Sequence, residues 1–150
     1  MKESSEIPKG DYMSEVLSDV NDDSIREWTS ANSLKSKESR EFEGYKITES
    51  IDGAKKYNRE ISFIEVTGPT NLPPHVHKNS DAYFIFIKGA GTLIIGDEEI
   101  SVSEGDKIEV PKNTKHGFIM RDDENLAFVS VQSPPIRNHE TGEEDFEVVE

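Results

Sequence analysis

Gly68-Pro69-Thr70-Asn71-Leu72-Pro73-Pro74-His75-Val76-His77-Lys78-Asn79-Ser80-Asp81-Ala82-Tyr83-Phe84-Ile85-Phe86-Ile87-Lys88-Gly89 is the stretch on which the reading of this chain turns. Its first half is punctuated by Gly and Pro. Its second half, from Asp81, is nearly all apolar, aromatic or β-branched and predicts a strand. If His75-Val76-His77 is extended as well, both imidazoles lie on one face, because strand side chains alternate with period 2. His116 stands in a second segment of the same kind, after Pro111 and Asn113 and before Gly117. A third imidazole from a separate strand would complete one side of a metal's coordination sphere. Imidazole suits Zn, Cu, Fe and Ni alike, so the pattern points to a metal without naming it. The competing reading is three surface or core histidines with ordinary hydrogen bonds.

Working outward, the pattern stays β. Gly44 to Ile51 and Ile61 to Thr67 read as strands, and Gly89-Ala90-Gly91 ends the apolar run before Thr92 to Ile95. Gly96-Asp97 and Glu104-Gly105-Asp106 are turn signals around Glu99 to Val102 and before Lys107 to Val110. Two more strands are expected near Gly117 to Arg121 and Leu126 to Gln132, the latter stopped by Pro134, which cannot continue a ladder. Short strands with Gly turns every eight to twelve residues mean a sandwich or barrel, so the fold class is all-β. The uninterrupted apolar run Tyr83 to Ile87 implies that both faces of its strand are covered, by a second sheet or a second subunit, which predicts a homodimer.

Three zones follow: a polar extension over 1–41, the barrel over 42–136 and an acidic tail over 137–150. In the extension, Tyr12, Met13, Val16, Leu17 and Val20 fall at helical spacing after Asp11, a candidate N-cap. Ser24 with Glu27 resembles a capping box, with Ile25 and Trp28 on one face. One or two short helices packing on the body or on a partner are expected, with disorder as the rival. Lys35 to Arg40 reads as a solvated linker. The tail holds six acids and one Arg and reads as solvated or as a segment covering a sheet edge.

Composition excludes several classes. A formal charge of −14 over 150 residues removes the electrostatic basis for binding nucleic acid or an anionic membrane. There is no cysteine, hence no disulfide, thiolate ligand or Cys nucleophile. No apolar leader or membrane-length run appears, so the expected compartment is the cytoplasm. P-loop, Gly-X-Gly-X-X-Gly, Gly-X-Ser-X-Gly and HEXXH sequences are all missing. Paired acids such as Glu98-Glu99 and Asp122-Asp123 fall in turns and read as solvated charge. His139 reads as an exposed tail residue.

Gly68 to His77, continuing to Gly89, resembles the first sequence motif of the cupin superfamily. Gly105, Pro111, Asn113 and His116 resemble the second, with matching spacings. The resemblance covers roughly 42–136 and implies a small double-stranded β-helix, or jelly-roll barrel, with a site inside its mouth. It implies His75, His77 and His116 as ligands to a divalent metal (Fe, Ni, Zn or Mn) and a small molecule as partner.

The departures from that pattern are specific. The family's usual Glu ligand falls at Ala82. Asp81, next door, has the opposite parity on a regular strand and reaches the metal only if a bulge turns it inward. Asn113 replaces a preferred Gly with the residue that best tolerates left-handed backbone angles. Alternation groups Ala82 and Phe84 with Phe86, and His116 with Phe118 and Met120. If these point inward, Ala82, Phe84, Phe118 and Met120 line an apolar substrate pocket around three histidines; the bland alternative is core packing.

Three neutral imidazoles leave a metal its full charge, which in a low-dielectric cavity favours an anionic or bidentate oxygen ligand. Three-His sites resemble those of cupin dioxygenases that cleave diketones or oxidise thiols. The leading expectation is therefore a mononuclear, dioxygenase-like metal enzyme. A non-catalytic small-molecule-binding or sensing cupin is the alternative. Sugar isomerase or lyase chemistry is weakened by the missing Glu, with Glu65 the one strand acid available as a base. Lys112 and Lys115 flank the expected rim, and Gln132 could face the pocket.

Overall fold

The computed structural model describes residues 13–53, 57–70, 73–138 and 140–149. The candidate cap Asp11, Tyr12 and His139 lie outside those residues. Among the described residues, 13–16 are helical, and two short helices, α1 (Asp22–Trp28) and α2 (Ala31–Lys35), follow before ten strands. These are β1 (Ser39–Phe42), β2 (Tyr45–Thr48), β3 (Glu60–Thr67), β4 (His75–Val76), β5 (Asp81–Ile95), β6 (Glu98–Ser103), β7 (Lys107–Val110), β8 (His116–Ile119), β9 (Asn125–Ser133) and β10 (Glu147–Val148). All pairings are antiparallel, in the order β10-β4-β8-β5-β9-β3-β2-β1, with β6 and β7 also on β5. The all-β barrel expected from the turn spacing is present.

The expected break at Gly89-Ala90-Gly91 is not a turn. β5 runs through it as one 15-residue strand. Its first half pairs with β7 and β9, and its second half with β6 and β8. The glycines bend the strand from one layer to the other. Gly89 has φ +82°, and the ladder to β9 shifts register between Ala127 and Phe128. The extra residue of such an irregularity deepens local twist and folds one sheet onto another.

Period 2 sorts the side chains as expected. Ala82, Phe84 and Phe86 of β5, Val66 of β3, and Leu126 and Phe128 of β9 face the barrel interior, with Phe118 and Met120. The intervening Ile61, Phe63, Ile85, Ala127, Val129 and Val131 face outward and are buried all the same. Their cover is the chain's own N-terminal segment: Met13, Val16, Leu17, Val20, Ile25, Trp28 and Leu34 pack on them. The doubly apolar strand from which a second subunit was inferred is therefore satisfied in cis. Fully burying a Val, Ile or Phe is worth about 1.5–3 kcal/mol, so covering this face contributes substantially to stability.

α1 is capped differently from expectation. Asn21 is the N-cap, its Oδ1 accepting the Ser24 N–H at 2.9 Å, while Ser24 Oγ accepts the Asn21 N–H at 2.9 Å. The box is real but starts three residues earlier, because Asn is as good an N-cap as Ser and Ser24 closes the loop in the place of Glu. Arg59 fastens this segment to the barrel. Its side chain is 1% exposed and donates to the Val16 carbonyl at 2.7 Å and to Asp19 at 2.6 Å, with Asp52 at 3.3 Å. Lys35 to Arg40 is only in part a linker, since β1 begins at Ser39 and Arg40 ion-pairs with Glu49 and Glu144.

Candidate metal centre

β4 and β8 are neighbours, and His75 lies directly opposite His116 in their register. His77 follows at the same parity as His75. The three rings stand 4.4 to 5.0 Å apart between centroids, all three residues are buried, and one ligand nitrogen from each lies within 4.8 Å of the others. The sequence pattern thus brings together the three histidines it singled out.

Backbone carbonyls set the ring tautomers. His77 Nδ1 faces the Asp145 carbonyl at 2.5 Å and His116 Nδ1 faces the Thr114 carbonyl at 2.9 Å. A carbonyl only accepts, so each Nδ1 carries the proton and each Nε2 keeps its lone pair. Metal-binding histidines are held in this way, by a hydrogen bond on the nitrogen away from the ion. His75 Nδ1 is buried without a well-formed hydrogen bond, with the Pro73 backbone acting on the ring. The donor set fits a divalent ion that accepts nitrogen ligands.

Burial keeps these rings neutral. Desolvation, then the neighbouring His116 and His77, pushes His75 down to about 3. Desolvation, opposed by the Thr114 hydrogen bond, pushes His116 down to about 4, and desolvation lowers His77 as well. Protons therefore bind the unfolded chain more readily than the folded one. Stability is complete above the unfolded value of 6.5 and is lost as pH falls toward the folded values. The slope is about 1.4 kcal/mol per pH unit for each such histidine. Urea denaturation of metal-free protein between pH 7 and pH 4 should show this decline, and His116→Leu should flatten it; an unchanged slope in that variant would contradict the assignment.

Asp81 takes no place among the clustered ligands. Its Oδ1 accepts the Lys112 N–H at 2.8 Å, which ties β5 to the Pro111–His116 loop. In that loop Asn113 has φ +62° and donates its N–H to the His77 carbonyl at 2.6 Å, so the left-handed residue positions a histidine. Ala82, Phe84 and Phe118 line a cavity of about 100 Å³ beside the imidazoles. Met120 does not; it is buried in the barrel core, its sulfur close against Gly91. Gln132 does face the cavity, hydrogen-bonded to Ser130 at 2.8 Å. Lys112 and Lys115 lie off it, and Glu65 is on the outward parity of β3.

Several lining residues were missed: Arg40, Phe42, Tyr45, Phe128, Glu144 and Phe146. Phe146 stacks on His75 at 4.6 Å and 27°. The acidic tail therefore takes the edge-covering role, one of the two expected, pairing on β4 and folding over the site rather than hanging in solvent. The available signal was Phe146 with Val148-Val149, an apolar island in an acidic run.

Residues 63–132 match the family model for the cupin domain. A variant of Streptomyces PAC13 with uridine superimposes with a TM-score of 0.62 at 18% identity, over 78% of this chain and 88% of that one. The polyketide cyclase RemF from Streptomyces resistomycificus gives 0.59 at 20% identity, over 78% and 82%. KdgF from Halomonas sp. gives 0.57 at 19% identity, over 69% and 90%. No curated protein sequence matches the chain. The chain has the cupin fold, and its segment 63–132 matches the cupin domain.

Proposed function

We propose that this chain binds one divalent metal through His75, His77 and His116 and uses it to act on a small molecule held in the adjoining cavity. The observation carrying this reading is the convergence of three buried imidazoles with two Nδ1 positions already committed to carbonyls. When bound, the metal supplies Lewis-acid activation and open coordination positions, and a redox-active ion would supply oxygenase-type chemistry. The chain's own residues do the rest. Phe84, Phe118 and Phe128 exclude water and clasp an apolar body, while Ser130 and Gln132 offer the polar contacts. Three neutral ligands leave the ion's charge uncompensated, so an anionic or chelating oxygen donor is the favoured substrate group.

A non-catalytic binding role is the second reading. It draws support from the absence of a free general base among the described lining residues: Glu49 and Glu144 are both ion-paired to Arg40. Among solved cupin structures, one holds uridine and another is a polyketide cyclase, which supports a small-molecule pocket under either reading.

Metal content after loading with iron, nickel, zinc or manganese, read by mass spectrometry on untagged protein, tests the proposal. Wild type should retain near-stoichiometric ion. His77→Ala should lose at least about 100-fold in affinity, the upper range for losing even an outer-shell partner, with the barrel's circular dichroism unchanged. Protein that stays metal-free after loading with all four ions would overturn the reading. Metal bound without any turnover across an oxygen-consumption screen would leave the binding role.

A further inference from the structure

We propose that residues 143–149 form a strap that opens and closes the pocket, with Phe146 setting the size of molecule admitted while it is closed. The proposal rests on the cavity beside the three histidines being the binding site. In the closed arrangement the strap joins both rims of that cavity. Glu147 and Val148 pair with Val76 and His75, and the Val149 N–H donates to the Pro74 carbonyl at 2.9 Å. The Asp145 carboxylate accepts the Lys78 and Asn79 N–H groups at 2.8 and 2.7 Å. On the far rim, Glu144 meets Arg40 of β1 at 3.0 Å. Between these anchors the Phe146 ring lies on His75.

Two magnitudes distinguish a closure from a fixed wall. The cavity under the strap is about 100 Å³. An apolar cavity of about 150 Å³ holds one benzene, and pockets for larger ligands run to about 300–1,000 Å³. Anything bigger than a few heavy atoms therefore needs Phe146 moved. The second magnitude is the strength of the fastening. Phe146 and Val148 remain 38% and 46% exposed, so both are only partly buried, unlike the core residues. The ion pairs Lys78–Glu147 and Arg40–Glu144 are solvent-exposed or half-exposed, a type worth about 0–1 kcal/mol each. A two-residue ladder adds little more, so the firmest attachment is Asp145, whose carboxylate holds the Lys78 and Asn79 N–H groups and whose carbonyl meets His77; opening releases these bonds to water. Segments with few buried contacts open at the low end of a protein's stability range, while the walls made by Phe84 and Phe128 are fixed in the core.

The chain has no cysteine, so one engineered pair can lock the strap. Val76 and Glu147 are directly opposite in an antiparallel register, a spacing that a disulfide spans, and alternation points Val76 away from the imidazole side. The experiment is the rate at which diethyl pyrocarbonate modifies His75 and His77, followed by peptide mass spectrometry in Val76→Cys/Glu147→Cys. Oxidation should slow modification by about tenfold or more, the factor expected when an open minor state is removed, and reduction should restore it. Phe146→Ala in the otherwise natural chain should accelerate modification. Equal rates in oxidised and reduced protein, or no acceleration in Phe146→Ala, would overturn the proposal. So would failure of the disulfide to form, since the closed pairing would then not be populated. The reagent attacks metal-free imidazole, so a negative metal-loading result leaves this test intact, and unchanged rates here leave the metal site standing.

Discussion

Arg59→Ala should destabilise the protein by about 3–5 kcal/mol, the usual cost of removing one partner from a buried charge pair. The guanidinium is 1% exposed and Asp52 is 4% exposed, so deletion leaves a carboxylate out of water with no cation. It also frees the Val16 carbonyl and the stronger Asp19 contact, the polar attachments of the N-terminal segment to the barrel. The loss should be local before it is global. Trp28, the chain's one tryptophan, sits 6.0 Å from the Arg59 guanidinium and reports the interface directly. Its fluorescence should shift to the red at lower urea concentration than the barrel's circular dichroism changes. Coincident transitions close to those of wild type would mean that apolar contacts alone hold the helices.

Gly89→Ala carries the second large effect. With φ +82°, the residue already sits where a side chain is strained, and a Cβ there would overlap the Asn125 carbonyl oxygen on β9. The clash is with backbone in the ladder that closes the barrel, so relief requires moving β5 or β9. A loss of about 4 kcal/mol or more is expected in chemical denaturation, in the range reached only by such specific mechanisms. Gly96→Ala is the control. That residue also has positive φ (+60°), but nothing lies within 4 Å of the added methyl group. It should cost only about 1–2 kcal/mol, the local left-handed penalty. Similar losses in the two variants would assign the role of Gly89 to backbone conformation alone.

How much of this was legible follows from what kind of signal each part leaves. Alternation gave the interior parity of Ala82, Phe84 and Phe118 and set His75 and His77 on one face, because strand period is a local property, while His116 joins them through the β4–β8 pairing. It failed at Met120, where the decision between cavity and core depends on Gly91 leaving room for its sulfur. It set Asp81 on the parity away from the ligand position, but not its hydrogen bond to the Lys112 N–H, which depends on a loop thirty residues away. Gly89-Ala90-Gly91 read as the end of a strand because Gly serves strand ends and bulges alike, and only pairing with β9 distinguishes them. The premise that both faces of β5 are covered holds. Sequence could not say that the cover would be the chain's own first helices.

The passage of β5 through both layers has a mechanical meaning. Its backbone is hydrogen-bonded to four other strands, two in each layer, so neither layer can unzip without drawing on the other. A sandwich held by side chains alone could breathe layer by layer; a barrel sharing one continuous strand opens as a single cooperative unit. His75 and His116, hung from the β4–β8 pair beside that strand, inherit its stiffness, and movement at the site is left to the segment that covers it.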